Sequence, residues 1–115
     1  MEKRTEEVKK MNRMEKVEFV VSQKARLEEM ASALLAERTL ILDGREAAAW
    51  DEIDYSWEYK LQRIASRLRE IEISLLRIEN GVYLVCLSCQ GEIETEMIRV
   101  SPTRKLCWEC LKRQK

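Results

Sequence analysis

The chain has 115 residues, a length that suits a single domain. Its 21 acidic and 21 basic side chains balance, which argues against a general nucleic-acid-binding protein, because phosphate binding depends on clustered Lys and Arg. Charged residues make up 37% of the chain and aromatic residues only 6%, so the composition favours long helices over a thick core. No stretch approaches about 18 consecutive apolar residues, which argues against a membrane-spanning helix.

The first ten residues are mostly charged and contain no apolar signal segment, so we expect a cytoplasmic protein. A weak apolar stripe follows and predicts a first helix from about 6 to 42, because a seven-residue repeat keeps apolar side chains on one helical face. Its members are Val20, Leu27, Leu34 and Ile41.

The chain is predicted to reverse around Gly44, the only glycine in the first eighty residues. A second apolar stripe then alternates steps of four and three residues for three heptads, which is typical of a coiled coil. Together the stripes predict a mostly α protein with an antiparallel coiled-coil hairpin over 1–80, its tip at about 42–48 and its second helix over about 45–79. The second stripe consists of Trp57, Leu61, Ile64, Leu68, Ile71, Leu75 and Ile78.

Charged residues on the second helix are predicted to lie on its solvated outer face. They include Arg63, Arg67, Glu70 and Arg77. Asn80-Gly81 is predicted to end this helix, because both residue types tolerate the left-handed conformation.

The chain contains four cysteines, in two Cys-x-x-Cys pairs separated by seventeen residues. Each pair can direct two sulfurs at one ion, and a spacer of about 15–20 residues lets a small hairpin bring the second pair round. The spacing therefore predicts one structural Zn²⁺ in a module over 81–115, with a short C-terminal helix. The predicted ligands are Cys86, Cys89, Cys107 and Cys110.

Other cysteine chemistry is disfavoured. Two disulfides would need an oxidising compartment, and a redox dithiol would need only one pair. The chain has no histidine, so mixed Cys/His ligation is excluded unless a carboxylate takes part. Four thiolates leave no open coordination position, and no phosphate-binding glycine loop or gathered carboxylates appear. We therefore expect no enzyme.

The stretches Ile78-Glu79-Asn80-Gly81-Val82-Tyr83, Cys86-Leu87-Ser88-Cys89 and Ser101-Pro102-Thr103 through Cys110 resemble the DksA/TraR zinc-finger family. This resemblance implies a transcription regulator that binds bacterial RNA polymerase. It implies that the coiled coil enters the secondary channel and that the protein does not bind DNA sequence-specifically.

The same resemblance implies that acidic residues at the hairpin tip carry function, at Asp43 and Glu46, followed by Ala48. Glu46 departs from the family pattern, which has Asp. A second pair with the same spacing, Asp51 and Asp54, is the alternative. Asp43 and Glu46 also have the spacing of a helix-capping box, so capping alone could explain them.

Family members that bind ppGpp use basic residues where this chain has Glu70, Ser101 and Leu111. A polyphosphate would meet no cation there, so the resemblance implies no strong ppGpp dependence. A further departure is Gln90, which replaces the usual glycine after the second cysteine, with Gly91 one place later.

Two other functions remain open. One is a zinc-stabilised coiled-coil adaptor or scaffold that binds another protein or itself, although the short predicted turn favours a monomer. The other is a zinc-ribbon nucleic-acid binder. Six bases near the finger would support it (Arg99, Arg104, Lys105, Lys112, Arg113 and Lys115), but four acids oppose them (Glu92, Glu94, Glu96 and Glu109).

Overall fold

A computed structural model describes residues 11–47 and 56–114. The described chain is mostly helical, and two long helices form a hairpin that the four-cysteine finger follows. The helices are α1 (Arg13–Ala47), α2 (Ser56–Glu79), α3 (Thr95–Val100) and α4 (Trp108–Arg113). Among the described residues, β pairing is confined to a single antiparallel bridge between Val85 and Glu92. This architecture confirms the predicted fold class.

Helix α1 begins with a capping box at Asn12. The Asn12 side chain accepts a hydrogen bond from the Glu15 amide (2.8 Å), and the Asn12 amide donates one to the Glu15 carboxylate (2.9 Å). These two bonds satisfy amides that a helix start leaves without partners. The helix therefore begins at Arg13 rather than at about residue 6.

Helix α1 continues through Gly44 to Ala47, so the prediction that the chain reverses at Gly44 is wrong. Among the described glycines, only Gly81 has a positive φ. An isolated glycine costs a helix about 1 kcal/mol, and the surrounding helix-forming residues outweigh that cost. The second helix begins at Ser56 rather than at about residue 45, and residues 48–55 lie outside the described ranges.

Both predicted stripes pack in the hairpin. Leu27, Ile64 and Ile71 are buried, and the remaining stripe residues are half-buried. Phe19 joins them from α1. Burial of such side chains contributes about 1.5–3 kcal/mol each, so the stripes stabilise the pairing of α1 with α2. Neither helix is long and apolar enough, within the described part of the chain, to cross a membrane.

The predicted end of α2 at Asn80-Gly81 is confirmed. Gly81 takes φ 76°, its amide bonds to the Ile78 carbonyl (3.1 Å), and the Val82 amide bonds to the Arg77 carbonyl (2.9 Å). This pair of bonds is the Schellman motif, which satisfies the last carbonyls of a helix. The motif turns the chain directly into the finger.

The finger packs against the base of the hairpin, and the two share one apolar core. Tyr83, Ile93 and Ile98 from the finger cluster with Leu27 and Ile71 from the helices. Polar contacts surround this core: Arg26 donates to the Arg99 carbonyl (2.6 Å), and Lys16 pairs with Glu92 (2.6 Å). The core is therefore continuous across residue 80.

Candidate metal centre

The first Cys-x-x-Cys pair lies in a tight loop closed by backbone hydrogen bonds. The Cys86 amide donates to the Gly91 carbonyl (2.8 Å), and the Gln90 amide donates to the Cys86 carbonyl (3.0 Å). Two further amides point at sulfur, from Ser88 to Cys86 Sγ (3.4 Å) and from Gly91 to Cys89 Sγ (3.3 Å). Amides directed at sulfur favour the thiolate form that a metal requires.

The departure at Gln90 has a visible consequence. Gln90 has φ 61°, the left-handed conformation that glycine adopts without cost and other residues do not. The adjacent Gly91 has a different reason to be small, because a Cβ there would lie 3.2 Å from Cys89 Sγ. The loop thus keeps the geometry needed for both sulfurs while Gln90 bears the backbone strain.

The second pair is placed by the short helix α4. Cys107 precedes the helix and Cys110 lies in its first turn, so both sulfurs face the same side. The Leu87 amide donates to the Lys105 carbonyl (2.9 Å) and joins the two loops. The Tyr83 hydroxyl donates to the Pro102 carbonyl (2.6 Å) from a buried position, and burial raises the pKa of Tyr83 to about 12.

The four cysteine sulfurs lie within 4.8 Å of one another, and all four thiols are free. The sulfurs of Cys89 and Cys107 are 3.8 Å apart. A tetrahedral zinc with Zn–S bonds of about 2.3 Å has sulfurs about 3.8 Å apart, whereas a disulfide needs about 2.05 Å. The donor set therefore fits a tetrahedral metal ion. Cys86, Cys107 and Cys110 are buried, and Cys89 is exposed.

The thiols at this cluster are electrostatically unequal. Burial opposes ionisation of Cys86, but hydrogen bonds from the backbone of Cys89, Cys107 and Ser88 outweigh it and lower the pKa of Cys86 to about 6. Ser88 favours ionisation of Cys110, yet burial and the three neighbouring sulfurs raise the pKa of Cys110 to about 12. One proton leaves readily and another is held, because thiolates this close repel one another. A divalent cation would relieve that repulsion.

Arg77 was predicted to lie on the solvated face, and this prediction is wrong. Its side chain is buried, with 6% exposed, and its guanidinium donates to the carbonyls of Val82 (2.9 Å), Arg104 (3.3 Å) and Val85. Burial lowers the pKa of Arg77, while Tyr83 and Cys86 act in the opposite direction. The one sequence signal was its position in the last turn before the helix stop, within reach of the chain that follows.

The predicted tip residues lie away from the cysteines, on the last turns of α1. Asp43 is exposed and lies inside the helix, so it does not cap a second helix as the capping interpretation required. Glu46 is also part of α1. Ala48 and the alternative pair, Asp51 and Asp54, lie outside the described residues.

No family model matches this chain, and no curated protein matches it in sequence. One solved structure has a similar fold, that of transcription factor DksA2 from Pseudomonas aeruginosa. The two chains are 21% identical with a TM-score of 0.53, and the alignment covers 84% of this chain and 78% of that chain. At this identity the likeness establishes the fold, a long helical hairpin with a cysteine finger at its base.

Proposed function

We propose that this protein is a transcription regulator of the DksA/TraR type, which binds bacterial RNA polymerase and inserts its hairpin tip into the secondary channel. The observation that carries the proposal is one combination of features in one chain: a long helical hairpin, a four-thiol finger at its base, and a fold similar to that of a transcription factor. The motif resemblance at 78–110 points the same way.

The dimensions of the hairpin suit this task. Helix α1 has 35 residues and so extends about 52 Å at about 1.5 Å per residue. The finger contacts α1 at Lys16 and Arg26, and Asp43 lies about 26 Å further along the axis than Arg26 at the same rise. The far end therefore projects well beyond the finger, as an arm that enters a channel must.

The finger stabilises the base of this arm. We assign one Zn²⁺ to Cys86, Cys89, Cys107 and Cys110, where the ion would act as a cross-link and contribute folding free energy. In the first loop the amides of Ser88 and Gly91 point at the sulfurs of Cys86 and Cys89, and the Leu87 amide bonds to the Lys105 carbonyl of the second loop. The shared core of Tyr83, Ile93 and Ile98 then holds the finger against the helices.

Two of the basic residues near the finger, Arg99 and Lys112, have acidic and aromatic partners, which weakens the nucleic-acid alternative. Arg99 pairs with Glu96 (2.9 Å) and stacks on Phe19 at 5.3 Å. Lys112 lies 3.9 Å from Glu109 and over the ring of Trp108. Nucleic-acid binding draws its affinity from Lys and Arg that neutralise phosphates, and the acidic partners of Arg99 and Lys112 compete with phosphate for these two cations.

The test is binding to purified RNA polymerase, followed by transcription in vitro with Asp43→Asn. This variant keeps the size and removes the charge, and Asp43 is exposed, so stability should change by less than about 0.5 kcal/mol. We expect Asp43→Asn to bind polymerase but lose most of the transcriptional effect, because the flanks and finger provide the binding. Glu18→Gln, an exposed acid near the base, is the matched control.

Absence of polymerase binding by the metal-loaded protein would contradict the proposal. Full activity of Asp43→Asn would contradict only the assignment of Asp43 as the functional tip residue. Asp51 and Asp54 would then be the pair to test. Adding ppGpp to the same assay tests the expectation from Glu70, Ser101 and Leu111. A large nucleotide-dependent gain would contradict that expectation.

A protein-binding adaptor is the second candidate, and one observation favours it. Met14, Val17 and Val21 are exposed by 58–69% and recur at helical spacing on one face of α1. Such a face is typical of protein contacts. Sedimentation equilibrium tests the form of this candidate that binds itself: a tight dimer at micromolar concentration would favour such a scaffold, and a monomer would contradict it.

A further inference from the structure

Arg77 is a buried cation without an acidic partner. Among the described residues, no carboxylate lies within ion-pair distance of it, and its buried Nε has no hydrogen-bond partner. The guanidinium instead meets the backbone carbonyls of Val82, Val85 and Arg104. All three carbonyls follow residue 80 and belong to the finger.

These three carbonyls lie beside the two cysteine loops. Val85 immediately precedes Cys86, and Arg104 lies three residues before Cys107. A guanidinium forms a rigid planar fork of five donors, so one side chain from α2 can hold both approaches to the sulfur cluster at once. Arg77 therefore connects the hairpin to both halves of the site.

Neutral carbonyls alone do not balance a buried charge, because removal of a cation from water costs several kcal/mol unless an opposite charge compensates. A divalent ion bound by four thiolates carries a net charge of about −2. Because Arg77 contacts the residue adjacent to Cys86, it is close enough to serve as the opposite charge. When the metal is bound, attraction between Arg77 and the negative centre offsets the free-energy cost of burying the guanidinium.

We infer that Arg77 is a positioning residue for the metal centre: it supplies the counter-charge to the four thiolates and fastens the metal-bound finger to α2. The inference rests on the metal assigned under the proposed function. It predicts that charge at position 77, as well as hydrogen bonding, determines metal affinity. It also predicts that metal binding stabilises the hairpin, because the same side chain belongs to both.

The experiment compares Arg77→Lys, which keeps the charge, with Arg77→Gln, which keeps amide donors and loses the charge. Arg67→Met removes an exposed cation from the same helix and is the matched control. Full-length protein is titrated with Co²⁺ under reducing conditions while thiolate-to-cobalt absorption is followed, and Zn²⁺ is then added in competition with a chelator. We expect Arg77→Gln to bind about 10- to 100-fold more weakly, as losses of residues that support metal ligands do.

Arg77→Lys should retain most of the affinity, and Arg67→Met should match wild type. Equal losses in Arg77→Lys and Arg77→Gln would overturn the counter-charge assignment, as would wild-type affinity in Arg77→Gln. If Arg77→Gln does not fold, Arg77→Lys is compared with wild type: retained affinity supports the inference, and a loss of about 10-fold or more overturns it.

A second measurement tests whether Arg77 holds the metal-bound finger to α2. Helical ellipticity is followed during heating with and without Zn²⁺, and wild type should show a higher unfolding temperature with metal. Arg77→Gln at saturating Zn²⁺ should lose most of that increase, and an unchanged increase would overturn the inference. Neither experiment uses polymerase, so failure here leaves the proposed function standing, and failure to bind polymerase leaves this inference standing.

Discussion

Replacement of Gly44 by alanine tests the placement of the helix through the predicted turn. The structure has Gly44 inside α1 without a positive φ, and nothing lies within 4 Å of an added Cβ. Alanine is favoured over glycine in a helix interior by about 0.5–1 kcal/mol. We therefore expect Gly44→Ala to stabilise the protein by that amount, which corresponds to a rise of about 2–6 °C in unfolding temperature for a chain of this size.

Gly81→Ala is the matched control, because an added Cβ there also meets no atom within 4 Å. The two glycines differ in backbone conformation, since Gly81 has φ 76°. Alanine in that conformation costs about 1 kcal/mol or more. Thermal unfolding followed at 222 nm should thus give opposite signs for the two variants. A loss of stability in Gly44→Ala similar to that in Gly81→Ala would refute the helical placement and restore a turn at Gly44.

Three further predictions concern the finger. Gln90→Gly should stabilise the metal-loaded protein by about 0.5–1 kcal/mol, because it removes left-handed strain; thermal unfolding measures this, and a loss would contradict the strain. Zn²⁺ binding near pH 7 should release about one proton or more, since the pKa of Cys110 is raised to about 12. The affinity for Zn²⁺, and the stability that bound Zn²⁺ confers, should therefore fall as the pH falls. The fall should be steeper below about pH 6, where Cys86 is also protonated. Calorimetry in buffers of different ionisation enthalpy would count the protons. Cys107→Ser should loosen 82–114 yet leave much of the hairpin helical by circular dichroism. Complete loss of helicity would contradict the expectation that the hairpin keeps its helices when the finger is loosened.

The sequence predicted those features that short-range chemistry determines. Two residues between cysteines restrict both sulfurs to one ion, and the structure brings the four sulfurs together. The four-three alternation from Trp57 to Ile78 determined which face of α2 packs, and the helix ended at Gly81 because glycine accepts the left-handed backbone conformation found there. Each Cys-x-x-Cys pair and the helix stop lie within a few residues of the feature they predict, whereas the meeting of the two pairs follows from the length of the spacer between them.

The failures have two physical causes, a small free-energy difference between local states at Gly44 and long-range contacts at Arg77. Glycine disfavours a helix by only about 1 kcal/mol, and neighbouring residues that favour a helix outweigh this preference at Gly44. The burial of Arg77 depends on carbonyls up to 27 residues away, and no pattern within α2 encodes a contact with a segment that comes later in the chain. A charge beside an apolar stripe was therefore assigned to solvent.

The two ends of the molecule place different demands on its side chains. At the base, Leu27, Ile71 and Tyr83 are almost fully buried, and most changes there cost stability before they affect function. At the far end of α1, Leu40 is 72% exposed and Asp43 is exposed as well, so changes there cost little stability. The base is firmly packed, and the far end exposes an apolar and an acidic side chain. We expect this arrangement in a protein whose base holds the arm in position while the arm contacts a partner. Variants at Asp43 should therefore separate activity from folding, and variants at Arg77 should change folding and metal binding together.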